Sequence, residues 1–139
     1  MPSQQELLVA YAATRFEAET PEGLIVLWIG RRNEALARLY RVTGTQSAAY
    51  ITAWNPASVP QGEERNRSAH MELLQSLNAA QCHYYEGFGR DPAGQWPAER
   101  SVLVLGISEE RACSLGRQFG QAAIVLAAAN AVPALRWLM

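Results

Sequence analysis

Polar side chains that could meet a ligand gather where apolar segments of this chain run out. Thr52, Trp54 and Asn55 leave an apolar stretch and enter a loop that carries Pro56, Ser58, Pro60 and Gly62. Loops at strand ends are where folds tend to place binding residues. Asn66 comes next, in helical phase with His70, Leu73, Leu74 and Leu77, so its amide should turn inward beside that loop and need partners there. Arg90 sits in the turn-rich run Gly89-Arg90-Asp91-Pro92-Ala93-Gly94. It can take up a carboxylate or phosphate, or pair with neighbouring Asp91. Glu99 and Ser101 border the following apolar run, and Gln121 follows Phe119-Gly120 where a helix hands over to a strand. Thr52, Asn55, Asn66, Ser101 and Gln121 offer hydrogen bonds, Arg90 and Glu99 charge, and Trp54 or Trp96 a stacking face. Backbone N–H groups at the start of the helix that carries Asn66 would favour an anion.

Several chemistries are excluded by what is missing. All 12 basic residues are arginine, which removes lysine Schiff bases and a P-loop lysine. A Ser-His-Asp triad would need Asp91, the only aspartate, or a Glu in its place, and no G-x-S-x-G elbow occurs. Gly87-Phe88-Gly89 starts like a dinucleotide fingerprint, but Pro92 stands at the third glycine and no helix follows. Cys82 and His83 are adjacent in a strand and point to opposite faces, so they cannot clasp one metal. No metal and no cofactor are expected. An acid–base enzyme would have to use Glu99 or His70, and His70, on the apolar stripe, reads first as a core histidine.

The 139 residues fit one domain, 1–139, with 49% apolar and 18% charged residues, the balance of a folded chain. Net charge is −1 and no basic run exceeds Arg31-Arg32, which disfavours nucleic acid as a partner. No apolar run approaches the roughly 20 residues that span a bilayer. The N-terminus lacks the basic and apolar regions of a signal peptide. A cytoplasmic protein is expected, with Cys82 and Cys113 as free thiols.

The elements that must position these residues follow from periodicity. Ser3 and Glu6 form a capping box for a helix over 4–13. Strands over 14–19 and 24–29 make a hairpin around Pro21-Glu22-Gly23. Asn33 caps a second helix that stops at Gly44. A strand over 48–54 and the loop 55–62 lead to a long helix over 63–79. Strands over 82–88 and 101–106 flank a Gly/Pro loop. Ser108 caps a fourth helix, and strands over 121–128 and 134–138 close a final hairpin. Three hairpins and few βαβ units imply an α+β fold: a largely antiparallel sheet of five or more strands with helices mainly on one face.

An ordered set of these segments is also familiar. Tyr50-Ile51-Thr52-Ala53-Trp54-Asn55-Pro56, Ser58, Asn66, Gly89-Arg90-Asp91-Pro92 with Gly94 and Trp96-Pro97, Ser101-Val102-Leu103-Val104-Leu105-Gly106, and Phe119-Gly120-Gln121 with Ala123 resemble the uncharacterised bacterial domain-of-unknown-function family 3293. That family carries proline just before the serine of the fifth strand, where this chain has Arg100. The resemblance implies a small stand-alone bacterial protein and no activity. The residues themselves support three readings. One is a module that binds a small polar or anionic ligand such as a nucleotide. Another is a protein-interaction or regulatory module without a pocket, in which the same residues brace loops. The third is an enzyme built on Glu99 or His70.

Overall fold

The computed structural model describes residues 2–139. Among these residues four α-helices and seven strands run in the order α1 (Gln4–Ala12), β1 (Arg15–Thr20), β2 (Gly23–Leu27), α2 (Glu34–Thr43), β3 (Ala48–Thr52), α3 (Glu63–Ala79), β4 (His83–Arg90), β5 (Glu99–Leu105), α4 (Glu109–Gln118), β6 (Ala123–Ala127) and β7 (Pro133–Trp137). The strands form one sheet in the order β2-β1-β4-β5-β3-β6-β7. All six neighbouring pairs are antiparallel, so the fold is α+β. The side chains of Ser3, Asn33 and Ser108 cap α1, α2 and α4, each accepting a hydrogen bond from the third residue onward.

The helices are not gathered on one face, which corrects the one-sided arrangement expected from the hairpins. Leu36, Leu39 and Tyr40 of α2 and Tyr11 of α1 pack with Phe16, Tyr50, Leu103, Leu105 and Val125 on one side of the sheet. Leu73 and Leu77 of α3 and Ala112 and Cys113 of α4 pack with Ala49, Ile51, Val102, Val104 and Ile124 on the other. The physical reason lies in the central strands. Ala48–Ile51 and Ser101–Leu105 are buried at every position, and a strand buried on both faces needs a cover on both. Cys82 and Cys113 are unpaired and lie in the α3/α4 layer.

The sheet curls at β1. Beyond Phe16, paired with Gly89 of β4, the strand crosses over the β4 face at Gly87. A Cβ on Gly87 would lie 1.8 Å from the Glu17 carbonyl oxygen and 2.7 Å from Ala18 Cα, so only glycine admits the crossing. The curl brings Glu17 within reach of Tyr50, whose hydroxyl donates to the Glu17 carbonyl at 2.7 Å. In a flat sheet the three strand spacings from β3 to β1 would separate them by roughly 14 Å.

Candidate functional site

Between α1 and the curled sheet lies a cavity of about 390 Å³. Strand parity decides what faces it. Tyr50 and Thr52 of β3 and Glu99 and Ser101 of β5 line it as alternate residues of their strands, with Ala123 to Val125 of β6 and Phe16 of β1 beside them. From above, Glu6, Leu7, Ala10 and Tyr11 form one stripe of α1 over it. That stripe borders the void, with Tyr11 also packed at the edge of the core, and no residue of α1 is fully buried. Tyr11 holds the helix by an edge contact on Trp137, ring centres 6.3 Å apart.

The loop after β3 supplies the polar end. Asn55, Ala57 and Ser58 have φ of 45°, 56° and 61°, the left-handed region. Asparagine tolerates it, while Ala57 and Ser58 are strained by about 1 kcal/mol each. Several bonds hold this conformation. Ala57 N–H donates to the Gly120 carbonyl at 2.8 Å and Ser58 N–H to that of Asn55 at 2.8 Å. Asn66 sits behind the loop as its joint, 3% exposed. Its Oδ1 accepts from Asn55 N–H and from Gln61 Nε2, both at 2.8 Å, and its Nδ2 donates to Asn55 Oδ1 at 2.8 Å. The helical phase predicted this burial and this loop contact.

Most polar groups around the cavity are tied to one another and form a rigid frame. Thr52 Oγ1 donates to the Arg100 carbonyl at 2.6 Å and accepts from Trp54 N–H at 3.0 Å. Ser101 Oγ donates to the Glu99 carbonyl at 3.0 Å. Gln121 Nε2 donates to the carbonyls of Trp54 and Phe119 at 3.2 and 3.3 Å. Glu99 is the exception. Its Oε2 accepts from Asn55 Nδ2 at 3.1 Å, and among the described residues no donor is recorded on Oε1. Burial raises its pKa to about 7, against a partial pull downward from the Asn55 amide. Tyr11 is raised as well, by burial first and by the Glu99 carboxylate, with the Ser58 hydroxyl opposing.

Six of the eight residues singled out from the sequence, Thr52, Trp54, Asn55, Glu99, Ser101 and Gln121, therefore line one cavity. Asn66 braces it from behind. Arg90 lies elsewhere. The strand β4 continues through Arg90, so Gly89 faces the cavity and Arg90 the opposite side of the sheet. There its Nε donates to Glu17 Oε1 at 2.8 Å, while Arg15 Nε holds Oε2 at 3.0 Å. Burial alone would raise Glu17, but the two guanidiniums outweigh it and its pKa falls below the ordinary value. Arg90 does not pair with Asp91, whose carboxylate accepts from Ala93 and Gln95 N–H in its own turn. Trp96 lines the cavity.

His70 is fully buried in the α3 layer, with Nε2 3.0 Å from Glu86 Oε1. Among the described residues its Nδ1 has no partner. It lies across the sheet from Glu99, so the two cannot act on one substrate. Tyr11, Phe16, Tyr50 and Gln61 are site components that the sequence reading missed. The aromatics carry the same periodic signal as core residues. Gln61 lies in a loop without periodicity.

A family model described as protein of unknown function (DUF3293) matches residues 51–124. The match takes in the loop after β3, Asn66, Trp96, Glu99, Ser101 and Gln121, whereas α1 and β1 lie outside it. No curated protein and no solved structure matches the chain. The chain belongs to the DUF3293 family.

Proposed function

For this member of the DUF3293 family we propose a binding module whose ligand is a small polar molecule with a ring, held in the cavity beneath α1. The observation that carries this reading is the convergence of a rigid polar frame with aromatic walls on one void. Its volume of about 390 Å³ falls in the range of roughly 300–1,000 Å³ usual for small-molecule sites. Aromatic side chains line it together with Thr52, Asn55 and Gln121, so both ring faces and polar edges of a ligand would be met. The strained run from Asn55 to Ser58 adds support, because such strain tends to be kept where it serves a site. Arg90, turned to the other face and bound to Glu17, gives no support to an anionic ligand. A pocketless interaction module would leave the cavity and the strained loop without a role.

A thermal-denaturation screen of polar ring compounds tests the reading. A ligand at a hundred times its Kd should stabilise the native protein by about 2.7 kcal/mol. Ala10→Trp, which fills the void from the α1 side, should remove that gain while the protein still folds. Absence of any stabilising compound, or equal stabilisation of the variant, would leave the interaction-module reading in front.

A further inference from the structure

We propose that the cavity selects an organic cation, an amine, amidine or guanidine carried on a small ring, with its charged N–H groups on Glu99 and its ring among the aromatic side chains. This rests on the ligand-site reading above and names the class of ligand.

The charge inventory of the wall comes first. Among the described residues it holds two carboxylates, Glu6 and Glu99, and no arginine, lysine or histidine. Arginines next to wall residues in sequence are engaged by carboxylates outside the cavity wall, Arg15 and Arg90 by Glu17 and Arg100 by Glu86 at 3.4 Å. An anion entering the cavity would find no counter-charge among the described side chains, and above about pH 7 it would meet like charge on Glu99.

The hydrogen-bond inventory points the same way. Glu99 has one oxygen held by Asn55, and no donor among the described residues is recorded on the other. That second oxygen keeps access to solvent, so a ligand in the cavity can reach it. A ligand bearing two or more N–H donors and a positive charge supplies what is missing, with the stronger bonds of a charge-assisted pair. The walls contain Tyr11, Phe16, Tyr50, Trp54 and Trp96, and aromatic rings attract cations over their faces. Charge, donor demand and aromatic faces are independent observations that select one chemistry.

A consequence separates this from a merely polar pocket. Glu99 keeps its proton up to about pH 7 in the free protein. A cation seated on it favours the ionised form, so binding below that pH should expel a proton to the solvent.

The test is isothermal titration of the native protein at pH 6 with benzamidine, benzamide and benzoate, which share one shape and carry charges of +1, 0 and −1. Benzamidine should bind at least about tenfold more tightly than benzamide, with benzoate weakest. Its apparent enthalpy should change with the ionisation enthalpy of the buffer, in the sense of proton release. Glu99→Gln, checked for folding by circular dichroism, should lose the preference and the proton release. Benzamide or benzoate binding as tightly as benzamidine would overturn the cation inference and leave the pocket reading standing. So would a benzamidine preference that persists in Glu99→Gln, or one without proton release by the native protein. No binding by any of the three, with no stabilising compound in the wider screen, would remove both readings together.

Discussion

A single methyl group added at Gly87 should push β1 off the sheet and open the wall of the cavity. The new Cβ would stand 1.8 Å from the Glu17 carbonyl oxygen, 2.6 Å from its carbon and 2.7 Å from Ala18 Cα. These are backbone atoms of a strand paired with β2 over five residue pairs, so no side chain can swing aside. The Glu17 carbonyl must retreat by about 1.2 Å to reach the 3.0 Å that marks the shortest real Cβ contact. Overpacking of this kind costs roughly 1–3 kcal/mol. The retreat also stretches the Tyr50–Glu17 hydrogen bond, a net loss of about 0.5–1.5 kcal/mol. Gly87→Ala should therefore cost about 2–4 kcal/mol out of a total of roughly 5–15. Urea denaturation reads this as a lower midpoint at unchanged m-value. Gly89→Ala is the control, two residues along the same strand. Its Cβ would meet only ordinary contacts at 3.9 and 4.0 Å, and it should change stability by less than about 1 kcal/mol. A Gly87→Ala protein as stable as the native one, or a Gly89→Ala protein equally destabilised, would refute the curl as the reason for Gly87.

Other perturbations probe the remaining parts. Asn66→Ala strands Asn55 and Gln61 without their partner and should cost about 1–3 kcal/mol, read by the same titration. Glu99 should make the free protein less stable as pH rises. Its folded pKa of about 7 stands above the ordinary 4.5, so between these values the folded state holds a proton that the unfolded state has lost. Stability should fall by about 2–3 kcal/mol across that window and be flat above it. Glu99→Gln should lack that fall when denatured at pH 4.5 and pH 8. Arg90→Ala removes one of two guanidiniums from buried Glu17 and should destabilise the fold without changing ligand affinity in calorimetry, since Arg90 faces away from the cavity.

The positions that the sequence revealed share a physical cause. Asn66 could be placed because helical phase with Leu73 and Leu77 is a strong constraint, and a buried amide at a helix start has few partners to choose from. The starts of α1, α2 and α4 followed from the capping side chains of Ser3, Asn33 and Ser108, and the three hairpins from turn residues. Arg90 was misplaced because the strand was ended too early. Gly89 and Pro92 look like a turn, yet β4 runs on through Arg90, and in a strand one residue decides the face. The distribution of helices was misjudged because the number of strands between two helices does not say on which side each lands. The sequence signal for cover on both faces is the unbroken apolar runs Ala48–Ile51 and Val102–Leu105. The cavity itself was hidden because Tyr11, Phe16 and Tyr50 read as core. Whether an apolar side chain meets a neighbour or a void depends on the curl at Gly87, a contact between strands far apart in sequence. The left-handed run was half legible, since asparagine at 55 is suited to it and alanine at 57 is not.

The four tryptophans offer the most direct measurement of ligand seating. In nitrogen-15-labelled protein each indole N–H gives its own signal. Trp54 and Trp96 line the cavity. Trp28 lies apart from it, between Arg15 and Arg31, and Trp137 meets it only through the edge of Tyr11. Titration with the strongest stabiliser from the thermal screen should move the Trp54 and Trp96 signals along one saturable curve, shift Trp137 less and leave Trp28 in place. A ligand that binds and moves Trp28 while Trp54 and Trp96 stay still would contradict a binding site beneath α1.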